Sequence, residues 1–255
     1  MKMNELIKIY GSKVRGTYKY QLTAVRNLKR ASEFMGNPEL SEITTTLVDD
    51  FSGFLGQSLK PSSVNRILTN LHSMLMFAHE RDLLEKMPKF SWEKEDNERV
   101  RWLSEQEQET LLRITPEEFS AFCEILILTG MRRGELLSLT KDNIDGDYIR
   151  LWKTKTGKAR SVPMSSKAKE LVNQHVPFNL TENQCTVLWN KAKKQMGLEY
   201  DKDFVLHTLR HTTATRMLKR TGNIALVQRM LGHSKITTTM RYAHIADDQL
   251  LAAVQ

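Results

Sequence analysis

The sequence has little cysteine and no long hydrophobic run, and both features narrow the class of protein. Its two cysteines, Cys123 and Cys185, are too few for a disulfide framework and show no zinc-site spacing. A reducing cytoplasm is therefore the expected compartment. No apolar stretch approaches the roughly 20 residues that span a bilayer, and the first residues lack a secretory signal. We expect no metal, no other cofactor and no membrane association.

Basic residues outnumber acidic residues, which indicates a polyanionic partner. The 38 lysines and arginines against 30 acidic residues give a net charge of +8, as is common in nucleic-acid-binding proteins. The imbalance is strongest before residue 31, where Glu5 is the one acid. A solvated helix face is the alternative interpretation. The candidate DNA-binding residues are Lys13, Arg15, Lys19, Arg26, Lys29, Arg30, Lys153 and Lys158.

The hydrophobic pattern divides the chain into two domains. A polar stretch containing Pro88 predicts a linker over 91–100, between a helical domain over 1–90 and a second domain over 101–255. In the first domain, helical spacing predicts helices over 17–35, 45–55 and 62–81.

In the second domain, Ser104 and Thr115 are predicted N-caps, each with a glutamate three residues later, and Pro116 is the predicted first residue of its helix. That helix should end at Gly130. The spacing of hydrophobic residues then changes from helical to strand-like, which predicts a β-hairpin within 147–163. Further helices are expected over 166–175, 181–196, 208–220, 224–231 and 238–251. The predicted fold class is mostly α with a small β-sheet.

Residues suited to phosphoryl transfer recur in the second domain. Arg132 and Arg210 carry planar guanidinium groups that match phosphate oxygens, and such cations stabilise the charge of a phosphorane-like transition state. Tyr242 is a suitable nucleophile, because its phosphate ester both persists and reverses. A lysine in the hairpin is able to protonate a leaving oxygen. Each residue alone is more often structural; their order and spacing together favour function.

Taken together, these motifs resemble those of the tyrosine recombinases, or phage integrases. The matching strings are TGMRRGELLSL, KTKTGKARSVP, HTLRH, LGHS and TTTMRYAH. The resemblance covers about 100–247 strongly and 10–89 weakly. It implies an N-terminal helical core-binding (SAM-like) domain and a C-terminal α+β catalytic domain. The residues that match the family's catalytic set are Arg132, Lys155, His207, Arg210, His233 and Tyr242, with Glu135 in a supporting role.

The resemblance also implies a mechanism and a set of partners. Tyr242 would attack a scissile phosphate to give a 3′-phosphotyrosine and a free 5′-hydroxyl. Arg132 and Arg210 would hold the phosphate, assisted by His207 and His233, and Lys155 would be the general acid. The expected partners are double-stranded DNA with specific recombination sites, three further copies of the chain in a homotetramer that passes through a Holliday junction, and accessory DNA-bending or directionality proteins.

Several interpretations stay open at this level. The chain reaches the core-binding helices by about residue 17, so we expect no arm-binding domain within it; a compact integrase, a Xer-type dimer resolvase and a fragment all fit. The segment 243–255 is expected to pack on a neighbouring protomer or on its own domain. A type IB topoisomerase uses a similar residue set, and a DNA-binding regulator on the same scaffold would lack catalysis.

Overall fold

A computed structural model describes residues 1–14, 16–95, 100–152 and 159–246, with the side chains of 19 and 244–246 left out. The chain forms two compact units, Met1–Asp96 and Asn97–Gln255. The division falls inside the stretch 91–100 that the sequence predicts as a linker.

The first unit is a small helical bundle. Its helices are α1 (Met3–Gly11), α2 (Tyr18–Met35), α3 (Thr45–Gly56) and α4 (Pro61–His79), with a 3-10 helix at Leu40–Glu42. Helix α2 packs against α1, α3 and α4, and their apolar stripes form one core around residues such as Leu28, Phe51 and Leu71.

The ends of α2 follow ordinary capping chemistry. The Thr17 hydroxyl accepts a hydrogen bond from the Tyr20 amide at the N-terminus. At the C-terminus Gly36 adopts a left-handed conformation with φ of 73°, which glycine reaches without the strain of a Cβ. Residue 17, predicted as the first residue of this helix, is therefore its N-cap, and the helix itself begins one residue later.

The second unit is mostly helical and carries the sheet. Its helices are α5 (Glu105–Ile114), α6 (Glu117–Thr129), α7 (Arg133–Leu137), α8 (Ser166–His175), α9 (Glu182–Gln195), α10 (Thr208–Thr221) and α11 (Ile224–Leu231), with 3-10 helices at Lys141–Asn143, Ile236–Thr238 and Met240–Ala246. Helix α6 packs against α5, α7, α8 and α10. Most of its residues are buried, including Phe119, Phe122 and Ile125, which places it at the centre of the core.

The predicted hairpin is part of a three-stranded antiparallel sheet. Strand β2 (Tyr148–Leu151) pairs with β3 (Arg160–Pro163) and, on its other edge, with β1 (Ile144–Asp145). Ile149 faces Val162 across the β2–β3 pair, and both are fully buried. The hairpin tip at 153–158 lies outside the described residues.

Two sequence-based expectations in this unit are wrong. Thr115 is not an N-cap: its hydroxyl donates to the Leu111 carbonyl at the end of α5, and Pro116 occupies the N-cap position of α6. The single helix expected over 238–251 is instead broken into two short 3-10 segments up to residue 246. The remainder of that prediction lies outside the described residues.

Candidate active site

The Arg132 segment is shaped by the end of α6 and the start of α7. Gly130 ends α6 with φ of 63°, and a Cβ there would come within 2.9 Å of the Leu231 side chain. Arg132 then takes the N-cap position of α7. Its backbone N–H donates to Glu135 Oε2 and its guanidinium to Glu135 Oε1, both at 2.8 Å. Glu135 therefore orients both the backbone and the side chain of Arg132.

A second arginine shares the Glu135 carboxylate. Arg160, the first residue of β3, donates from its two terminal nitrogens to Oε1 at 2.7 Å and Oε2 at 2.8 Å. Burial raises the pKa of Glu135, but the hydrogen bonds from Arg160 and from the Arg132 backbone outweigh it and lower that pKa to about 2. The carboxylate is thus ionised at neutral pH.

The Arg210 side chain is fixed by hydrogen bonds to two backbone carbonyls. It is the third residue of α10 and only 2% exposed. Its terminal nitrogens donate to the carbonyls of Gly130 and Leu231, at the C-terminal ends of α6 and α11. Burial and the charge of Arg132 lower its pKa to about 9, which leaves it a cation at pH 7. A guanidinium has five N–H donors, so donors remain for a ligand.

Arg132, His207 and Arg210 line one open cavity of about 480 Å³. Desolvation and the charges of Arg210 and Arg132 lower the pKa of His207 to about 4. His207 is therefore a neutral hydrogen-bonding group beside two cations, an arrangement suited to an anionic ligand such as phosphate.

His233 follows the turn that ends α11. Gly232 forms this turn with φ of 65°. The His233 Nδ1 lies 2.9 Å from the Thr239 hydroxyl, which ties the histidine to the segment that carries Tyr242. Desolvation, Arg210 and Arg132 lower the pKa of His233 to about 4, so it too is neutral at pH 7.

Tyr242 lies beside this group but is enclosed. It is 1% exposed and packs with Val100, Ala214, Leu218, Val227 and Leu231. Its hydroxyl is 2.7 Å from His211 Nδ1, and its backbone N–H donates to the Thr239 carbonyl. Burial raises the pKa of Tyr242 although Arg210 and Arg241 oppose it. Among the described residues that line the cavity, Tyr242 does not appear.

The structure thus gathers most of the predicted catalytic residues around one point. Arg132, His207 and Arg210 share the cavity, and the charges of Arg132 and Arg210 act on the pKa of His233. Arg210 likewise acts on Tyr242. Lys155 lies outside the described residues. In the described part of the chain, no group of three or more histidine, cysteine, aspartate or glutamate residues could hold a metal ion.

Sequence reasoning overlooked two residues of this site. Arg160 was not singled out, although it lies in the KTGKARSVP string, within the predicted hairpin. His211 lies in the HTLRH string but is not among the residues matched to the family's catalytic set; in the structure its Nδ1 is hydrogen-bonded to the Tyr242 hydroxyl. The spacing of four residues between His207 and His211 was the available signal, since residues four apart lie on one face of a helix.

The predicted DNA-binding residues fall into separate groups. Arg26, Lys29 and Arg30 lie on α2, and Arg26 and Arg30 border an open cavity of about 550 Å³ together with Arg66 of α4. Lys13 is exposed just after α1. Arg15, Lys153, Lys158 and the side chain of Lys19 lie outside the described part of the structure.

Comparison with known proteins assigns the chain to a family. The model of the phage integrase family matches residues 101–249. The chain is 28% identical over 227 residues to the integrase of Escherichia phage P2, covering 88% of this chain and 67% of that protein. It is 29% identical over 261 residues to tyrosine recombinase XerD of Staphylococcus aureus (strain Mu50 / ATCC 700699), covering 88% and 87%.

The fold agrees with that assignment. The structure of a lambda integrase(75-356) dimer bound to a COC′ core site matches with a TM-score of 0.82 at 18% identity, covering 95% of each chain. The chain belongs to the phage integrase family. It is a tyrosine recombinase, with the mostly helical fold and small sheet that the sequence predicts. Within the described residues, no helix is both long enough and apolar enough to cross a membrane.

Proposed function

We propose that this recombinase cleaves and rejoins duplex DNA at specific sites through a covalent 3′-phosphotyrosine at Tyr242. The observation that carries the proposal is the convergence of Arg132, His207 and Arg210 on one cavity, with His233 and Tyr242 alongside. Integration or excision of a mobile element is the reaction that best fits the phage P2 relative. No cofactor is needed, because the bond energy is kept in the phosphotyrosine.

The cavity supplies the electrostatic part of this reaction. Arg132 and Arg210 donate to the non-bridging oxygens of the scissile phosphate, and neutral His207 and His233 add hydrogen bonds. Both arginines are fixed beforehand, Arg132 by Glu135 and Arg210 by backbone carbonyls. Donors held in advance stabilise developing charge without reorganising during the reaction.

Strand cleavage in the proposed reaction exchanges one phosphate ester bond for another and moves two protons. The Tyr242 oxygen forms a bond to phosphorus while the bond from phosphorus to the DNA 5′ oxygen breaks. The phenolic proton leaves, with His211 as its nearest acceptor, and Lys155 protonates the departing 5′ oxygen. A 5′-hydroxyl from the partner duplex then reverses these bond changes on a new strand.

The first unit contributes DNA affinity in this proposal. Arg26 and Arg30 on α2, with Arg66 on α4, border a single cavity that suits backbone phosphates. Lys13, Arg15, Lys19 and Lys29 are proposed to add contacts, as are Lys153 and Lys158 in the catalytic domain. Because such contacts release counterions, affinity should fall steeply with salt.

The assembly follows from the chemistry. Exchange between two duplexes needs four cleavages, so we propose a homotetramer on double-stranded DNA, aided by accessory DNA-bending or directionality proteins. The place of action is the nucleoid within the bacterial cytoplasm. A Xer-type role in resolving chromosome or plasmid dimers is the second candidate, since the XerD relative matches over most of its length.

A covalent-capture experiment tests the central step. Tagged protein is incubated with nicked duplexes whose core sequence is randomised. Cleavage near the nick releases a short fragment that carries the free 5′-hydroxyl, and its loss traps the adduct. SDS-resistant complexes are then isolated and sequenced. Wild type should form adducts with an enriched site, and Tyr242→Phe should form none. Tyr200→Phe, which changes an 88%-exposed tyrosine, is the matched control.

The outcomes separate the alternatives. Absence of an adduct from wild-type protein would refute the proposal and favour a DNA-binding regulator. Adducts without an enriched site, with relaxation of supercoiled plasmid, would favour a topoisomerase. Recombination between two copies of the enriched site distinguishes the functions further: exchange limited to directly repeated sites on one molecule favours dimer resolution.

A further inference from the structure

Arg160 contacts two of the segments that carry the candidate catalytic residues, and it stands on a third. It begins β3, the second strand of the predicted hairpin. Its two terminal nitrogens both bond to Glu135 in α7. Its Cδ lies 2.5 Å from the point that a Cβ on residue 232 would occupy, so it fills the space left by Gly232, next to His233.

The Arg160 side chain is placed to act on Glu135 rather than on a ligand. Both terminal nitrogens are already committed to one carboxylate, in the two-pronged geometry that arginine favours. The side chain is 12% exposed, and its Nε is buried without a hydrogen-bond partner among the described residues. A direct contact with phosphate would require this paired arrangement to break.

The net charge of the cluster indicates how Arg160 affects Arg132. Arg132, Arg160 and Glu135 carry +1, +1 and −1, which leaves a net charge of +1. Without Arg160, the pair of Arg132 and Glu135 would be neutral, and the whole carboxylate would attract Arg132. The two arginines share Glu135 Oε1, at 2.8 Å and 2.7 Å. Arg160 therefore competes with Arg132 for the carboxylate, so that less of the Glu135 charge offsets the charge that Arg132 presents to the cavity.

We propose that Arg160 is a positioning residue for strand cleavage: it neutralises and orients Glu135 so that the charge of Arg132 is available to the scissile phosphate. The inference rests on the function proposed above. Arg160 also fixes the turn at Gly232, which sets the position of His233 relative to Arg132. One side chain thereby connects the arginine, hairpin and histidine segments of the site.

The first test compares two scissile groups in the nicked substrate, a normal phosphodiester and a methylphosphonate. A methylphosphonate lacks the negative charge of one non-bridging oxygen, so it depends less on Arg132. Arg160→Met should slow adduct formation on the phosphodiester on the order of 10- to 100-fold, below the roughly 10²- to 10³-fold typical of losing a direct donor. On the methylphosphonate, the same variant should be close to wild type.

The second test removes the carboxylate as well. In the double variant Arg160→Met with Glu135→Gln, Arg132 keeps its +1 charge with no anion beside it. The double variant should therefore cleave the phosphodiester faster than Arg160→Met alone. A role in folding alone predicts the opposite, because each further change to the cluster would add damage.

Controls keep the two proposals separate. Arg150→Met alters an arginine of β2 that pairs with exposed Asp145, and it should leave cleavage unchanged. Arg160→Lys keeps the charge but not the two-pronged bond and should be intermediate. Circular dichroism and binding to uncleaved DNA establish that each variant is folded.

An equal loss on both scissile groups, or a double variant no faster than Arg160→Met, would overturn the Arg160 proposal while wild-type cleavage still stands. If the wild-type protein formed no adduct, that result would instead refute the proposed function and, with it, the proposed role of Arg160.

Discussion

Replacing Glu135 with glutamine removes one negative charge from between two arginines, and the structure allows the cost to be worked out. The Glu135 side chain is 8% exposed and accepts hydrogen bonds through both oxygens, from the Arg160 guanidinium and from the backbone N–H and guanidinium of Arg132. Glutamine keeps the size and one carbonyl oxygen but loses the charge. Arg160, which is 12% exposed, is then a nearly buried cation without an anion.

Two independent estimates of the stability lost in Glu135→Gln are similar. Breaking a buried ion pair by removing one partner costs roughly 3–5 kcal/mol. Independently, the pKa of Glu135 is about 2 in the folded protein against an ordinary value of 4.5. At about 1.4 kcal/mol for each pH unit, that difference corresponds to about 3 kcal/mol of stability. We therefore expect Glu135→Gln to lower the free energy of unfolding by about 3 kcal/mol at pH 7.

The same reasoning predicts a pH dependence with a definite sign. Because the folded-state pKa of Glu135 is lowered, its contribution is fully present above pH 4.5, the unfolded value, and is lost as the pH falls towards 2. The difference in stability between wild type and Glu135→Gln should thus be constant from pH 7 to about 5. Below that, it should shrink, because the wild-type carboxyl becomes protonated as well.

Urea unfolding followed by the fluorescence of buried Trp189 is a suitable measurement, since this residue reports on the catalytic unit. Thermal unfolding gives a second measure: about 3 kcal/mol corresponds to a fall in Tm of roughly 6–12 °C for a unit of this size. Glu182→Gln is the control, because Glu182 pairs with Arg133 at the surface and is 61% exposed. Such pairs contribute about 1 kcal/mol or less. A Glu135→Gln variant as stable as this control, or a difference unchanged at pH 3.5, would refute the reasoning.

Three further predictions follow from single contacts. Gly232→Ala should lower stability by about 1–2 kcal/mol, measured by urea unfolding, since alanine is strained at φ of 65° and its Cβ would meet Arg160. Arg26→Gln should reduce the slope of log affinity against log salt by about 1, measured by fluorescence anisotropy, and an unchanged slope would exclude a phosphate contact. The Tyr242 phenol should ionise only above pH 10, its ordinary value; the ultraviolet difference between wild type and Tyr242→Phe measures this, and ionisation near neutral pH would contradict it.

The elements that local chemistry determines were predicted well from the sequence. The ranges 166–175 and 224–231 agree with α8 and α11, because a capping residue and a following break mark both ends of each. The Thr115 prediction failed because two helices compete for one threonine. Its hydroxyl bonds back to Leu111 in α5, and a capping pattern does not say which of two adjacent helices the residue serves.

The site residues were recognisable by motif, but their geometry was not. Spacing along the chain orders Arg132, His207, Arg210 and Tyr242, yet it says nothing about which groups bond to one another. The position of Arg160 depends on the register of a β-strand and on a missing side chain at residue 232, both of which are long-range features. The enclosure of Tyr242 depends on how a short 3-10 segment packs on α10 and α11.

That enclosure has an energetic consequence for the proposed reaction. Attack requires the Tyr242 oxygen to approach phosphorus to about 3–3.5 Å, whereas the residue is 1% exposed. Releasing it costs the burial of one large side chain, about 1.5–3 kcal/mol, and the bond to His211, about 0.5–1.5 kcal/mol. A sum of roughly 2–4.5 kcal/mol keeps the released state near or below a few per cent of free molecules. Binding to DNA must therefore offset this cost, which couples cleavage to occupancy of the DNA site.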